Sequence, residues 1–204
     1  MALTVIADLE AHLATSFTGD DITRVTDEWL PQAQAAAEAW CKQPLEHASV
    51  TEVFEVDQWE SWYVTDRFPI TAVTSVTEDT LLTVTDQYLS YEDGTLRRVN
   101  GALDSSWSMF PNGVTVVYTA GYGTGAPSPF DTVPPDLVLA IVSIAADLVD
   151  NSRVFAEHGG VPIKQIQLEG SDAVTYNEAT NPRKPGEFTD AVKTLLSPFV
   201  RRLM

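Results

Sequence analysis

The fold class is indicated by the stretch Val114-Thr115-Val116-Val117-Tyr118-Thr119-Ala120-Gly121-Tyr122, which a loop joins to Val133-Pro134-Pro135-Asp136-Leu137. In the first half, valine and tyrosine alternate with threonine and valine, a period of two that is typical of a half-buried strand. In the second half, proline followed by aspartate favours a helix start, because proline needs no backbone partner there and an acid suits the positive end of the helix dipole. A chain that mixes strands and helices, of class α+β, is therefore predicted.

Helices are predicted on both sides of this stretch. One is expected near residues 4–15, a second over 20–43 and a third over 135–150. The second has a stripe of apolar residues at steps of three and four, namely Ile22, Val25, Trp29, Ala33, Ala36 and Trp40. Pro31 lies inside this stripe, and because proline removes a helical hydrogen bond we expect a kink or a split there.

An antiparallel β region is predicted as an insert at about residues 50–120. Short runs rich in Val, Thr, Tyr and Trp alternate there with turn residues. Asp93-Gly94 is the strongest hairpin signal in the chain, since a tight turn of the primed type needs a positive φ at its centre. The helical core with this insert, residues 1–150, forms the predicted body.

Residues 151–204 are predicted to be a C-terminal extended arm that ends in a short helix. The segment from 151 to 186 is polar, with Gly159-Gly160 and 181–186 as flexible points. One face of the last helix carries the apolar side chains Phe188, Val192, Leu195 and Phe199. Two cations that suit the negative end of the helix dipole follow it, namely Arg201 and Arg202. This helix is either a docking arm or an element of the core.

Charge is distributed unevenly along the 204 residues, whose net charge is −17. Residues 1–150 carry 23 acidic and 5 basic side chains, whereas residues 151–204 carry 6 and 7. A body this acidic repels phosphate groups, which argues against a protein that clasps DNA but permits one that surrounds it. A solubilising acidic surface explains the charge equally well.

The sequence lacks a constellation of residues suited to catalysis. Cys41 is the single cysteine, and His12, His47 and His158 fall in three separate segments without ligand spacing. The glycines at 121, 123 and 125 do not have the spacing of a dinucleotide fingerprint. No catalytic, cofactor-binding or metal residue is predicted, and no signal peptide or membrane span is expected. A hydrolase using paired carboxylates is a remote alternative.

Three further groups of residues have two interpretations each. Asp147 and Asp150 are either a solvated stripe or a pair facing a channel, where they would repel a passing polyanion. The broad apolar face of the third helix suits core packing and a subunit contact, through Leu137, Ile141, Ile144 and Leu148. The aromatic cluster of Trp59, Trp62 and Tyr63 has acidic neighbours, which favours sheet packing or a protein interface over nucleic-acid stacking.

Several segments, taken in order, resemble the head-to-tail connector (adaptor, or head-completion) proteins of long-tailed bacteriophages. The resemblance begins at residues 7–13, continues from Asp20-Asp21-Ile22 to Ala39-Trp40-Cys41, and includes the proline-led strand Phe68-Pro69-Ile70-Thr71-Ala72-Val73-Thr74-Ser75-Val76. It extends through the strand, loop and helix quoted at the start and ends at Leu195-Leu196-Ser197-Pro198-Phe199-Val200-Arg201-Arg202. Pro31 and the long segment 151–186 depart from the family pattern.

This resemblance implies a structural protein of the virion neck, assembled in the bacterial host cytoplasm. It implies a twelvefold ring of this chain beneath the portal protein, which extends the DNA channel and receives a stopper or tail-completion protein below. The C-terminal segment of the family engages the portal, a role that would fall here on the terminal helix. A stopper or tail-completion protein of the same particle is the alternative function.

Overall fold

The computed structural model describes residues 3–56, 60–78, 81–83, 87–101, 103–107, 113–157 and 188–201, and for 81–83 and 151–157 the backbone alone. Its helices are α1 (Ile6–Leu13), α2 (Asp20–Arg24), a π-helical turn (Val25–Trp29), α3 (Leu30–Cys41), α4 (Pro135–Glu157), α5 (Asp190–Leu196) and a 3-10 turn (Ser197–Phe199). Its strands are β1 (Ala48–Phe54), β2 (Trp62–Val64), β3 (Ile70–Glu78), β4 (Leu81–Thr83), β5 (Tyr88–Ser90), β6 (Thr95–Asn100), β7 (Leu103–Asp104) and β8 (Val114–Ala120). The predicted α+β class is confirmed.

The helices share one hydrophobic core. Leu9 of α1, Val25 of the π-helical turn, Ala33 of α3 and Ile141 of α4 are fully buried in it. The predicted stripe of the second helix is buried in its middle but not at its ends, because Ile22 is 44% exposed and Trp40 is 38% exposed. Residues at the ends of an amphipathic helix extend beyond the partner that covers its centre.

Pro31 neither breaks nor splits the second helix. The backbone N–H of Leu30 donates to the carbonyl of Val25, five residues back, which widens the turn just before the proline. Proline cannot donate a hydrogen bond, and its ring displaces the carbonyl four residues earlier, so a wider turn accommodates it. Helical structure therefore runs without interruption from Asp20 to Cys41.

Two small antiparallel sheets form the insert. The first has the strand order β1-β8-β3-β4, so that β8, the strand quoted first, lies in its interior. Its inward side chains Val114, Val116 and Tyr118 are fully buried, as their alternation predicted. The second sheet has the order β2-β6-β5, with β7 also paired to β6, and the predicted hairpin joins β5 to β6 through Gly94, whose φ is +90°.

The insert joins the helical core at the end of β8. Gly121 has a φ of +103°, and an added Cβ would lie 2.6 Å from the carbonyl oxygen of Glu46. Only glycine permits this approach, which brings the chain back beside the segment that left the helices. The backbone of Tyr122 and that of Leu45 and His47 are hydrogen-bonded there, so the insert is fastened at both of its ends.

The boundary predicted at residue 150 falls inside a helix. α4 continues to Glu157, because the first residues that break a helix after Asp150 are Gly159 and Gly160. The terminal helix α5 packs on α4, with Val192, Leu196 and Phe199 buried in the helical core. Among the described residues, no helix has the length and apolarity that a membrane span requires.

Candidate functional site

The cysteine and the histidines are not arranged for catalysis in the described part of the chain. Burial, and secondarily the charge of Glu38, raises the pKa of Cys41 to about 12, so the side chain is an unreactive thiol. His47 hydrogen-bonds Thr71 at 3.2 Å, His12 is exposed on α1, and His158 lies outside the described residues. Within those residues, no three His, Cys, Asp or Glu side chains are grouped to hold a metal ion.

A small cleft lies where the insert meets the helices. Its volume is about 160 Å³, and its lining includes Tyr122 and two acids, Glu46 and Asp131. Pockets for small ligands usually measure roughly 300–1,000 Å³. This cleft is smaller than that range, so it lends no support to the hydrolase alternative, which requires a deep pocket containing two carboxylates.

A polar junction connects the helices, the insert and the C-terminal segment; it consists of the buried Gln43, Glu52 and Tyr118, the partly buried Arg201 and the exposed Asp66. The Gln43 side chain donates to the carbonyl of Phe199 at 2.8 Å and accepts from the backbone N–H of Phe68 at 2.9 Å. Arg201 forms an ion pair with Asp66, and its backbone N–H donates to the Cys41 carbonyl at 2.9 Å. The junction thereby sets where the C-terminal segment lies.

Glu52 is the buried carboxylate of this junction and is 9% exposed. It accepts hydrogen bonds from the Tyr118 hydroxyl at 2.5 Å and from the Asp66 backbone at 2.9 Å. Burial raises the pKa of Glu52, while these hydrogen bonds and the nearby Arg201 lower it by a smaller amount. Burial likewise raises the pKa of Tyr118, which stays protonated and donates to Glu52.

We expect Glu52→Gln to alter the pH dependence of stability. A carboxyl whose pKa is higher in the folded state contributes stability that is present below its ordinary pKa and is lost as the pH rises through the raised value. Glutamine is neutral throughout, so the melting temperature of the variant minus that of the wild type should increase between about pH 4 and pH 8. Thermal unfolding across this range tests the expectation, with the exposed Glu55→Gln as control. A difference that is constant with pH would contradict it.

A second buried polar contact links the two sheets. Arg98 of β6 lies 2.7 Å from Glu78 of β3, and their side chains are 16% and 7% exposed. Arg98 also donates to the carbonyls of Gln87 at 2.7 Å and Val99 at 2.8 Å, and it lies over the Trp107 ring. No pattern in the sequence distinguished Arg98 from its exposed neighbour Arg97, because the role of each depends on the face of β6 that it occupies.

The terminal helix is an element of the core, so the interpretation as a free docking arm is corrected. Val192 and Phe199 are buried among the helices, Leu195 packs against the same core, and Phe188 meets the Trp40 ring edge-on at 5.7 Å between centroids. The physical reason is that the apolar face which the sequence showed fits against α4 and α3. Arg201 is held by the polar junction, and Arg202 lies outside the described residues.

The residues predicted on α4 separate into two groups. Leu137, Ile141 and Ile144 are buried in the core of the chain itself, and Leu148 is half-buried against it. The core-packing interpretation of this face is thus observed, and a subunit contact through the partly buried Leu148 stays a prediction. Asp147 and Asp150 are exposed on the opposite side of the helix.

The sheet β2-β6-β5 has an exposed face, which we call the aromatic–arginine face. It consists of Trp62, Leu89, Tyr91 and Arg97. Trp62 of β2 and Leu89 of β5 both pair with Arg97 of β6, so the three form one row across the sheet. The aromatic cluster in the sequence pointed to Trp62. Tyr63 points inward and stacks on Phe54 at 3.7 Å, whereas Trp59 lies outside the described residues.

Comparison with solved structures finds the same fold in particle necks. A chain in the neck of an empty gene transfer agent (GTA) particle, computed with C6 symmetry, matches with a TM-score of 0.55 and 17% identity over 99% of this chain and 91% of that one. A chain in the neck of the native GTA particle, computed with C12 symmetry, gives 0.54 and 15% over 98% and 89%. A chain of the native GTA virion gives 0.57 and 19% over 99% and 91%.

These similarities establish a shared fold over nearly the whole chain. No family model matches the sequence, and no curated protein matches it in sequence. The predicted helical core with an inserted antiparallel β region is thus the fold of chains found in GTA particles.

Proposed function

We propose that this chain is a structural protein of a virion neck, a head-to-tail adaptor that forms a ring beneath the portal protein. The observation that carries the proposal is the shared fold with neck chains over 98–99% of this chain. In this proposal the ring extends the DNA channel and receives the stopper or tail-completion protein.

Portal contact is assigned to the outer side of the terminal helix. Docking through Val192 and Phe199 would require both side chains to leave the helical core. Asp190, Thr194 and Ser197 are exposed on the other side of the same segment. The polar junction holds this segment at a defined place, which suits a rigid contact.

The DNA channel is the proposed location of the acidic side of α4. Asp147 and Asp150 are exposed there, on a body of strongly negative charge. A wall that repels phosphates lets DNA slide, whereas an attractive wall would retain it.

Reversing both charges, with Asp147→Lys and Asp150→Lys, should therefore slow the passage of DNA. We expect particles of normal neck composition whose DNA delivery falls by about tenfold, because each lysine adds an attractive phosphate contact. Asp27→Lys with Glu28→Lys is the matched control, since it reverses two exposed charges on another helix. Delivery that is unchanged, or reduced equally by the control, would remove these acids from the channel wall.

The position of the chain in the particle tests the function itself. Electron cryo-microscopy of particles carrying a tag on this chain should place a ring of it directly below the portal. A position one layer lower would show the alternative, a stopper or tail-completion protein. Absence from the neck would overturn the proposal.

A further inference from the structure

The aromatic–arginine face has the composition of a protein interface. Trp62 and Leu89 are each 46% exposed and Tyr91 is 42% exposed, around the guanidinium of Arg97. Tyr91 and the exposed Asp104 both contact that guanidinium, which holds it in place on the sheet. Tryptophan, tyrosine and arginine supply most of the binding energy in interfaces, and an exposed apolar patch marks an interaction site.

A second surface lies at α2, which no element among the described residues covers completely. None of its residues is buried, and Ile22 is 44% exposed although it belongs to the apolar stripe of the helix. Asp20 and Asp21 precede it in the helix and are exposed as well. This surface therefore has two negative charges and one aliphatic side chain in its first turn, and the exposed cation Arg24 at its end. The acidic first turn complements a cation set among aromatic rings.

The two surfaces belong to different layers of the chain. α2 continues into the helical core, whereas the aromatic–arginine face lies on the small sheet, whose inner side packs in the separate core of the insert. A contact between two different patches on neighbouring copies is heterologous, and its repetition closes a ring when the rotation between copies divides a full turn.

We propose that the aromatic–arginine face binds the acidic surface of α2 in a second copy of this chain. Arg97 lies against Asp20 and Asp21 of the next copy, while Trp62 and Leu89 cover Ile22. The inference rests on the proposed function, in which copies form a ring, and it names the contact between them.

Disulfide trapping between two variants tests the contact even when association is weak. Cys41 is fully buried, so cysteines introduced at the surface react first. Under mild oxidation, a mixture of Ile22→Cys and Leu89→Cys proteins should form the mixed dimer at least about tenfold faster than Ile22→Cys with Val53→Cys, because the contact raises the local thiol concentration. Val53 is 63% exposed and lies on β1, outside the aromatic–arginine face. Equal rates for the two mixtures would overturn the proposal.

A charge exchange tests the pairing of Arg97 with the acids. Arg97→Glu in the Leu89→Cys copy should slow cross-linking, and Asp20→Lys with Asp21→Lys in the Ile22→Cys copy should restore it. Failure to restore the rate would reject these acids as the partner. A ring at the neck without preferential cross-linking would overturn the contact but not the proposed function. Preferential cross-linking of a chain that is absent from the neck would overturn the proposed function but not the contact.

Discussion

Leu196→Ala is expected to lower the free energy of unfolding by about 2–5 kcal/mol, the range for removing a fully buried leucine side chain. Leu196 is 0% exposed and lies in the helical core with Val192 and Phe199. A terminal helix packed in this way is part of the folding unit, so truncating the Leu196 side chain should destabilise the whole helical core. Urea unfolding followed by circular dichroism measures the effect.

The comparison with Lys193→Ala separates core packing from loss of helix content. Lys193 lies one turn earlier in α5, and its side chain is 39% exposed. Alanine favours helix as strongly as lysine does, so this control should leave the unfolding midpoint almost unchanged. If Leu196→Ala were equally silent, the helix would be a detached arm as first considered from the sequence.

Arg98→Met should destabilise the protein by about 3–5 kcal/mol, because it leaves the carboxylate of Glu78 buried without its cation. The two side chains are 16% and 7% exposed, and the lost guanidinium also serves the carbonyls of Gln87 and Val99. The loss should appear as a lower unfolding midpoint.

The double variant Glu78→Leu with Arg98→Met completes a thermodynamic cycle. Removing both charges leaves no buried carboxylate that has lost its contact with Arg98, so the double variant should be more stable than Arg98→Met alone. Arg97→Met is the matched control from the adjacent residue, whose ion pair with Asp104 is exposed. A double variant as unstable as the sum of the two single variants would show that the ion pair is not the linking element.

Periodicity predicted the elements because it records local burial. The alternation along 114–120 and the three- and four-residue steps from Val25 to Ala33 both correspond to buried side chains in the structure. Asp93-Gly94 predicted the hairpin because a positive φ at Gly94 is a local requirement. The same pattern did not predict burial at the two ends of the second helix, since Ile22 and Trp40 match it and yet are exposed.

The acidic charge and the order of helices and strands were determined by the sequence by itself. Those properties depend on composition and on neighbours a few residues apart. Only the tertiary structure decided that the terminal helix is core, that Arg98 pairs with the buried Glu78 while Arg97 pairs with the exposed Asp104, and that Gln43, Glu52 and Arg201 meet in one junction. The physical reason is that each of these depends on contacts between distant segments, as in the hydrogen bond from Gln43 to Phe199, which local periodicity does not encode.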